Sequence, residues 1–599
     1  MNLKSIRNFA IISHIDHGKS TLSDRLMEET KTVSDREMTP HLLDSMGVEQ
    51  AHGVTVKSRT VQNTYRANDG QDYQLNLIDT PGHVDFNYEV TKSLSATDGV
   101  ILLVDATQGV QAQTVANWRL AHELGLPILP VLNKIDAASA QIDEREEQIR
   151  QLDPTLANRQ IYHISAKTGL GIADLLEAIV HELPAPVGDE SSPLKALVFD
   201  SEYDAFQGVI AQIRVIDGTL KKGTALQLMA NGQKLLAKEV GIYQPNRVPV
   251  NELTVGEVGY VVTGIKNPKQ VTVGDTLTSQ SQPTATALPG YQQSQPVVYA
   301  GIYPVDDYNV LQEALQKLAL NDTSLVLTNE QSEAMGPGFR AGFLGIFHLQ
   351  IIKERLETEF GIQVVVTAPN VSYRVQVAQK GQDIQTVTVT NPTKFPDFDQ
   401  ILAVEELVVK ATIMTPSDSV NQLMKLADDY RGVFMDMGNQ GDYVRLVYQM
   451  PLSEIAYDFF NQLKSLSHGY ASFSTEAIGY QEADLVKVDL QVNYAQVDAL
   501  AFVTHRSRVA EQTQQLVHEL KMTIPRRLYP MPVQALVEGR VVARVDVPPL
   551  RKNAAVNGQA KSISKKQALL RRQSANKRQA AQSDIELPQA VFNVLLSLK

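Results

Sequence analysis

A chain of 599 residues is too long for one hydrophobic core, and 43% hydrophobic with 20% charged residues is an ordinary globular composition, which excludes both a single domain and a wholly disordered chain. The complete absence of cysteine excludes disulfides, thiolate metal sites and cysteine nucleophiles and suits a reducing cytosol. A formal charge of −12 argues against nonspecific nucleic-acid binding by the molecule as a whole, so any RNA contact is expected from local patches.

The first residues, Met-Asn-Leu-Lys-Ser-Ile-Arg, contain no apolar secretory core, and runs such as Gly99-Val-Ile-Leu-Leu-Val-Asp105 are too short to span a bilayer. The expectation is a cytoplasmic protein. From 1 to 184, strand-like apolar runs at 9–13, 74–79, 99–105, 127–133 and 160–165 alternate with helix-length segments, which predicts an α/β domain on a parallel sheet. Phosphate-binding loops belong at the carboxyl ends of such strands.

Ser13-His-Ile-Asp-His-Gly-Lys-Ser20 follows the first strand and fits G-x-x-x-x-G-K-[ST] except that serine replaces the first glycine. Backbone N–H groups of a loop entering a helix supply a fixed positive field for phosphates, so Asp16, His17, Gly18, Lys19, Ser20 and Thr21 are assigned to the nucleotide. Lys19 is expected to reach the β- and γ-phosphates, and the Ser20 hydroxyl to ligate Mg²⁺. Thr55, in Gly53-Val-Thr-Val56, has the place of a switch threonine that contacts Mg²⁺ and γ-phosphate only with GTP bound. Asp79-Thr-Pro-Gly-His83 follows another buried strand, putting the Asp79 carboxylate near the Mg²⁺ shell through water and the Gly82 N–H near the γ-phosphate.

Two more strand ends complete the set: Asn133, Lys134, Ile135 and Asp136, then Ser165, Ala166 and Lys167. Guanine offers two donors, N1–H and the N2 amine, to one carboxylate, whereas adenine does not, so Asp136 is expected to select GTP over ATP. An unpaired buried carboxylate would penalise ATP by about 1–3 kcal/mol or more. Four motifs in this order, each at a strand end, predict a P-loop GTPase.

Linker-like compositions at 183–193 and 278–296 separate this domain from the rest. Residues 190–280 carry short β-rich runs punctuated by glycine and predict a small β-barrel. Residues 294–370 and 400–482 repeat one strand and helix order, predicting two ferredoxin-like domains. In the last of their helices, expected over 452–466, Leu452, Ile455, Ala456, Phe459, Phe460 and Leu463 make a core-facing stripe. Residues 483–599 are expected to form a C-terminal domain with a basic tail, where Arg551, Lys552, Lys561, Lys565, Lys566, Arg571, Arg572, Lys577 and Arg578 occur without one acidic residue. RNA is the expected partner of that tail, and DNA is not.

Ile15-Asp-His-Gly-Lys-Ser-Thr21, Asp79-Thr-Pro-Gly-His83 and Asn133-Lys-Ile-Asp136 together resemble the translational GTPases. In that group a histidine at the place of His83 stands where small GTPases carry a water-orienting glutamine, which implies a catalytic imidazole held by ribosomal RNA. Across nearly the whole chain, the elongation factor 4 (LepA) family is similar, through Leu43-Asp-Ser-Met46, Gly338-Phe-Arg-Ala-Gly-Phe-Leu-Gly345, Arg355-Leu-Glu-Thr-Glu-Phe360, Thr367-Ala-Pro369, Tyr457-Asp-Phe-Phe460, Gly469-Tyr-Ala-Ser-Phe473 and Ile524-Pro-Arg-Arg527.

The resemblance implies GTP and GDP as nucleotides, hydrolysis stimulated by the bacterial 70S ribosome, a monomer, tRNA contact through the C-terminal region, a role in back-translocation and fidelity under stress, and partial peripheral association with the inner face of the membrane. Glu49-Gln-Ala-His-Gly53 stands where the family usually has Arg-Glu-Arg-Gly, and Val556-Asn-Gly-Gln-Ala-Lys561 where it has Lys-Cys-Tyr-Gly-Gly-Asp, which fits a divergent second copy. The alternative of a different class is a non-catalytic, GTP-switched protein that docks on ribosomes or assists their assembly.

Overall fold

The computed structural model describes residues 2–34, 36, 38–39, 41–43, 46–52, 55–81, 86–152, 154–289, 296–322, 324–332, 335–367, 369–378, 384–440, 443–456, 459–467, 471–527, 530–550, 587–588, 591–592 and 594. The first domain contains strands β1 (Ile6–Ser13), β2 (Arg59–Arg66), β3 (Asp72–Asp79), β4 (Gly99–Asp105), β5 (Ile128–Asn133) and β6 (Tyr162–His163) in the order β2-β3-β1-β4-β5-β6. Its helices are α1 (Lys19–Glu29), α2 (Gly47–His52), α3 (Asn87–Ser95), α4 (Ala112–Glu123), α5 (Ile142–Leu152) and α6 (Ile172–Glu182).

Helices cover both faces of the sheet, which is why β4 reads as an almost unbroken apolar run and the inner strands beside it are largely apolar. Phe9, Ile11, Leu75, Leu77, Ile101 and Leu103 pack toward α1 and α6, while Ala10, Ile12, Val100, Leu102 and Val104 fill the opposite core. The sheet is not wholly parallel as expected. β2 is an antiparallel edge strand in register Arg59↔Asp79, and its Thr-Val-Gln-Asn-Thr-Tyr run lacks the continuous apolar signal of a central strand.

Between 195 and 279, eight antiparallel strands form one sheet. Leu235 and Val240, from strands near its opposite edges, share one core with Ala211 and Ile213, so the sheet curls into a small barrel. Arg214 fastens it to the first domain, with Nη2 2.5 Å from Asp98 Oδ1 and Nη1 donating to the Thr97 carbonyl. The described residues of both expected linkers, though mostly exposed, are anchored at points rather than loose. Asp189 is bonded to Ser191, Ser192 and the Gly218 N–H, and Leu288 joins Ile78, Ala96, Leu197, Phe199 and Val258 between the two domains.

The next unit runs Val298–Pro304, Tyr308–Asn321, Val326–Ser332, Gly336–Phe343, Ile346–Thr358 and Val364–Val366, with its strands in spatial order second, third, first, fourth, the ferredoxin-like arrangement. The second such unit is built on the long strand Ile401–Pro416. An unanticipated hairpin, Tyr373–Val377 with Gln385–Val389, extends its sheet. The single helix expected over 452–466 is two helices, Leu452–Ile455 and Phe459–Leu466, whose Leu452, Ile455, Phe459 and Leu463 all face one core.

The last domain packs Val509–Thr523 on a five-stranded sheet, and Val591, Phe592 and Val594 return to its core. The basic segment 551–578 lies outside the described residues. Among the described residues, no helix is long and apolar enough to cross a membrane.

Candidate functional site

The loop after β1 needs backbone geometry that few residues adopt, with Asp16 at φ +62° and Gly18 at φ +96°. A Cβ at Gly18 would sit 2.5 Å from Asn133 Nδ2, so glycine is demanded twice there, by the left-handed backbone and by the close approach. The chain then enters α1 at Lys19, and the first amides of a helix have no carbonyl of their own helix to meet, so the turn offers free donors of the kind that suit an anion such as phosphate. Ser20 and Thr21 lie half-buried on its first turn.

Lys19 is buried, and its ammonium lies 2.8 Å from each Asp79 carboxylate oxygen and 2.7 Å from Thr55 Oγ1. Thr55 Oγ1 is itself 3.4 Å from Asp79 Oδ2, and Ser23 Oγ donates to Asp79 Oδ1 at 3.3 Å. Hard oxygens from three chain segments thus converge on one held cation. Such a donor set suits Mg²⁺, which prefers oxygen and keeps water and phosphate among its ligands. Among the described residues no group of three or more His, Asp or Glu that could hold a metal occurs.

The residues assigned to guanine are anchored to the loop between β1 and α1. Asn133 Nδ2 donates to the His17 carbonyl at 2.9 Å while its Oδ1 accepts from the Ala166 N–H at 3.0 Å. Lys134, at φ +61°, donates from Nζ to the Asp16 carbonyl at 2.6 Å and pairs with the buried Asp105 at 2.7 Å. Ile135 N–H donates to the Ile164 carbonyl, Ser165 is fully buried with its Oγ accepting from Thr168 N–H, and Lys167 is exposed, its carbonyl accepting from Arg25.

Asp136 is solvent-exposed, so the buried carboxylate anticipated from sequence is not present in the protein itself. Any desolvation penalty arises only when a base covers it. His17 has no exposure, its Nε2 lacks a hydrogen-bond partner, and burial pushes its pKa down to about 4 against the opposing pull of the Leu103 carbonyl and Asp105. Gly82 and His83, like Gly53 and Val54, lie outside the described residues.

Several supporting residues escaped the sequence reading. Asp105 ends β4 as Asp79 ends β3, and the same strand-end rule could have found it. Gln113 and Asn117 on α4 hold the loop by accepting from Ile15 N–H and donating to the Ser13 carbonyl, and a polar pair on a helix carries no such signal. Glu49, on the short helix α2, is buried just before Thr55.

Profiles of known families match the chain in four places: "Elongation factor Tu GTP binding domain" over residues 4–185, "Elongation factor Tu domain 2" over 208–278, "Elongation factor G C-terminus" over 403–491 and "GTP-binding protein LepA C-terminus" over 492–597. The chain is 58% identical over 599 residues to a Lactiplantibacillus plantarum protein named "Elongation factor 4 2", covering 100% of both chains. It is 48% identical over 597 residues to elongation factor 4 of Bacillus subtilis, covering 99% of this chain and 97% of that one. A crystal structure of a Thermus thermophilus protein aligns with a TM-score of 0.58 at 21% identity, over 80% of this chain and 97% of that one, a likeness of fold alone.

Proposed function

This chain belongs to the elongation factor 4 family, a ribosome-dependent translational GTPase that binds GTP and GDP, and from that premise we propose that hydrolysis runs through the site gathered around Lys19, Thr55 and Asp79. The convergence of those three side chains is the observation that carries the reading. Lys19 and the amides opening α1 bind the phosphates, with Asp16, His17, Gly18 and Thr21 shaping the loop around them. Asn133, Lys134, Ile135 and Asp136, with Ser165, Ala166 and Lys167, form the guanine pocket.

Ser20 and Thr55 by their hydroxyls, and Asp79 through water, would hold Mg²⁺. When bound, that ion supplies neutralisation of the charge on the β- and γ-phosphate oxygens. Gly82 N–H and Thr55 hold the γ-phosphate in line, and the His83 imidazole orients the water that attacks the γ-phosphorus. The bond from that phosphorus to the bridging oxygen breaks, leaving GDP and inorganic phosphate.

A monomer acts on the 70S ribosome, contacting ribosomal RNA and tRNA through the C-terminal domain, with the basic segment from Arg551 to Arg578 as an RNA-facing surface. Back-translocation of tRNA and fidelity under stress follow as its task, with peripheral membrane association secondary. Single-turnover hydrolysis of GTP with and without 70S ribosomes tests the reading. Stimulation of about a hundredfold or more is expected for a catalytic group ordered by the partner. Equal rates in the two conditions would leave a docking protein switched by GTP.

A further inference from the structure

We infer that Glu49 is a positioning residue that sets the switch threonine Thr55 in place. The inference rests on the reading of Thr55 as a γ-phosphate and Mg²⁺ contact. Glu49 is only 1% exposed, and its carboxylate accepts from backbone N–H groups on either side of Thr55. Its Oε2 accepts from the Met46 N–H at 3.0 Å, and its Oε1 accepts from the Val56 N–H at 3.0 Å and the Lys57 N–H at 3.2 Å. One carboxylate therefore ties the entry of the segment 46–57 to its exit.

The Val56 N–H belongs to the peptide group that begins at the Thr55 carbonyl carbon, so fixing it fixes the plane from which the Thr55 side chain departs. Thr55 Oγ1 then lies 2.7 Å from Lys19 Nζ. Behind the clip, Met46, Val48 and Val56 pack with Phe86, Leu344 and Ile351, so the tied segment leans on the helix Ile346–Thr358 of the next unit. A buried carboxylate is costly unless its oxygens are satisfied by donors, and here three backbone donors converge on it.

The chemistry demands a carboxylate rather than an amide. Glutamine offers one oxygen, enough for Val56 and Lys57 or for Met46, and its NH₂ must then face a backbone N–H, donor against donor. Burial alone would tolerate glutamine; positioning of Thr55 would not.

The test compares Glu49→Gln, Glu49→Ala, Thr55→Ala and the Glu49→Gln/Thr55→Ala double variant in the full chain. Affinities for GDP and for the non-hydrolysable analogue GppNHp with Mg²⁺ are measured by fluorescent-nucleotide competition, and amide hydrogen exchange is followed at Val56 and Lys57. Expected are GDP affinity within about twofold of wild type and an analogue-to-GDP preference reduced about tenfold in each single variant, the scale of hydrogen bonds to a charged group. The double variant should be no worse than Thr55→Ala alone, because both changes remove one interaction. Val56 and Lys57 should exchange faster in the Glu49 variants.

If Thr55→Ala keeps the wild-type preference, the reading of Thr55 itself fails. If Thr55→Ala loses the preference while Glu49→Gln keeps both it and slow exchange, the inference about Glu49 is overturned. Equal weakening of both nucleotides in Glu49→Gln, with a lowered melting temperature, would likewise overturn it in favour of a structural role; Glu49→Gln is the variant that decides should Glu49→Ala fail to fold.

Discussion

Asn133 donates from Nδ2 to the backbone carbonyl of His17, so the strand end that carries Asn133-Lys-Ile-Asp136 also clamps the loop between β1 and α1. Gly18 lies under that amide, with its Cβ position 2.5 Å from Asn133 Nδ2. Gly18→Ala is expected to weaken GDP and GTP binding together by about tenfold or more, since a Cβ in the left-handed region costs about 1–2 kcal/mol before the displacement of Asn133 is added. Isothermal titration of both nucleotides checks it, and unchanged affinity would mean that the loop can relax away from Asn133.

Asp136→Asn should exchange guanine for xanthine selectivity, because xanthine presents a carbonyl where guanine presents the N2 amine and an amide N–H can meet it. The exposed position of Asp136 adds a second expectation, a stability change within about 0.5 kcal/mol. Competition between GTP and xanthosine triphosphate, with denaturant unfolding alongside, measures both. Retained GTP preference in the folded variant would put the base pocket elsewhere.

His83→Ala should leave GTP binding within a few fold and lower ribosome-stimulated hydrolysis by at least about a hundredfold, the scale of a positioned catalytic group. Binding and turnover are measured on the same preparation. Normal hydrolysis on ribosomes would leave water ordering to the Pro81 and Gly82 backbone.

The buried His17 predicts a pH-dependent loss of stability. Its folded pKa of about 4 lies below the unfolded value near 6.5, so the folded state favours the neutral ring. Above pH 6.5 both states are neutral and the contribution is fully present. As pH falls from 6.5 toward 4 the unfolded chain gains a proton that the folded one refuses, and stability declines by roughly 3 kcal/mol at the limit. Denaturant unfolding of wild type and His17→Gln at pH 7 and pH 5 should show the variant losing about 2 kcal/mol less across that interval. A constant gap between the two proteins would exclude this titration.

The nearness of Lys19 to Asp79 was legible because buried strands advertise themselves. Phe9 to Ile12 is a continuous apolar run, and Leu75, Leu77 and Ile78 make the end of β3 apolar apart from Asn76; Asp79 follows directly and Lys19 opens α1 after the loop, and the structure brings the two side chains within 2.8 Å. β2 was not legible, since an edge strand needs no apolar continuity, and neither was the hairpin at Tyr373–Val377. Glu49 gave no signal at all, because its meaning arises only when Met46 and Lys57 are brought together in space. Packing of the linker-like stretches was hidden for a similar reason: composition marks a segment as polar and turn-rich but cannot tell whether a residue such as Leu288 finds a crevice.

The antiparallel pairing of β2 with β3 sets a ruler for the segment that carries Thr55. Arg59 lies opposite Asp79, and only positions 56–58 separate Thr55 from that fixed point. Removing or adding one residue there would displace Thr55 by about 3.3 Å along the chain, more than the reach of its hydroxyl to Lys19, or turn its side chain to the other face. At the far end of the same hairpin Ala67 is buried in the core but the tip beyond it, Asn68 to Gly70, is exposed and can change length at little cost. Length is therefore constrained on one side of this strand pair and free on the other, so descendants of this gene should vary in size at the distal turn while the short span after the threonine stays fixed.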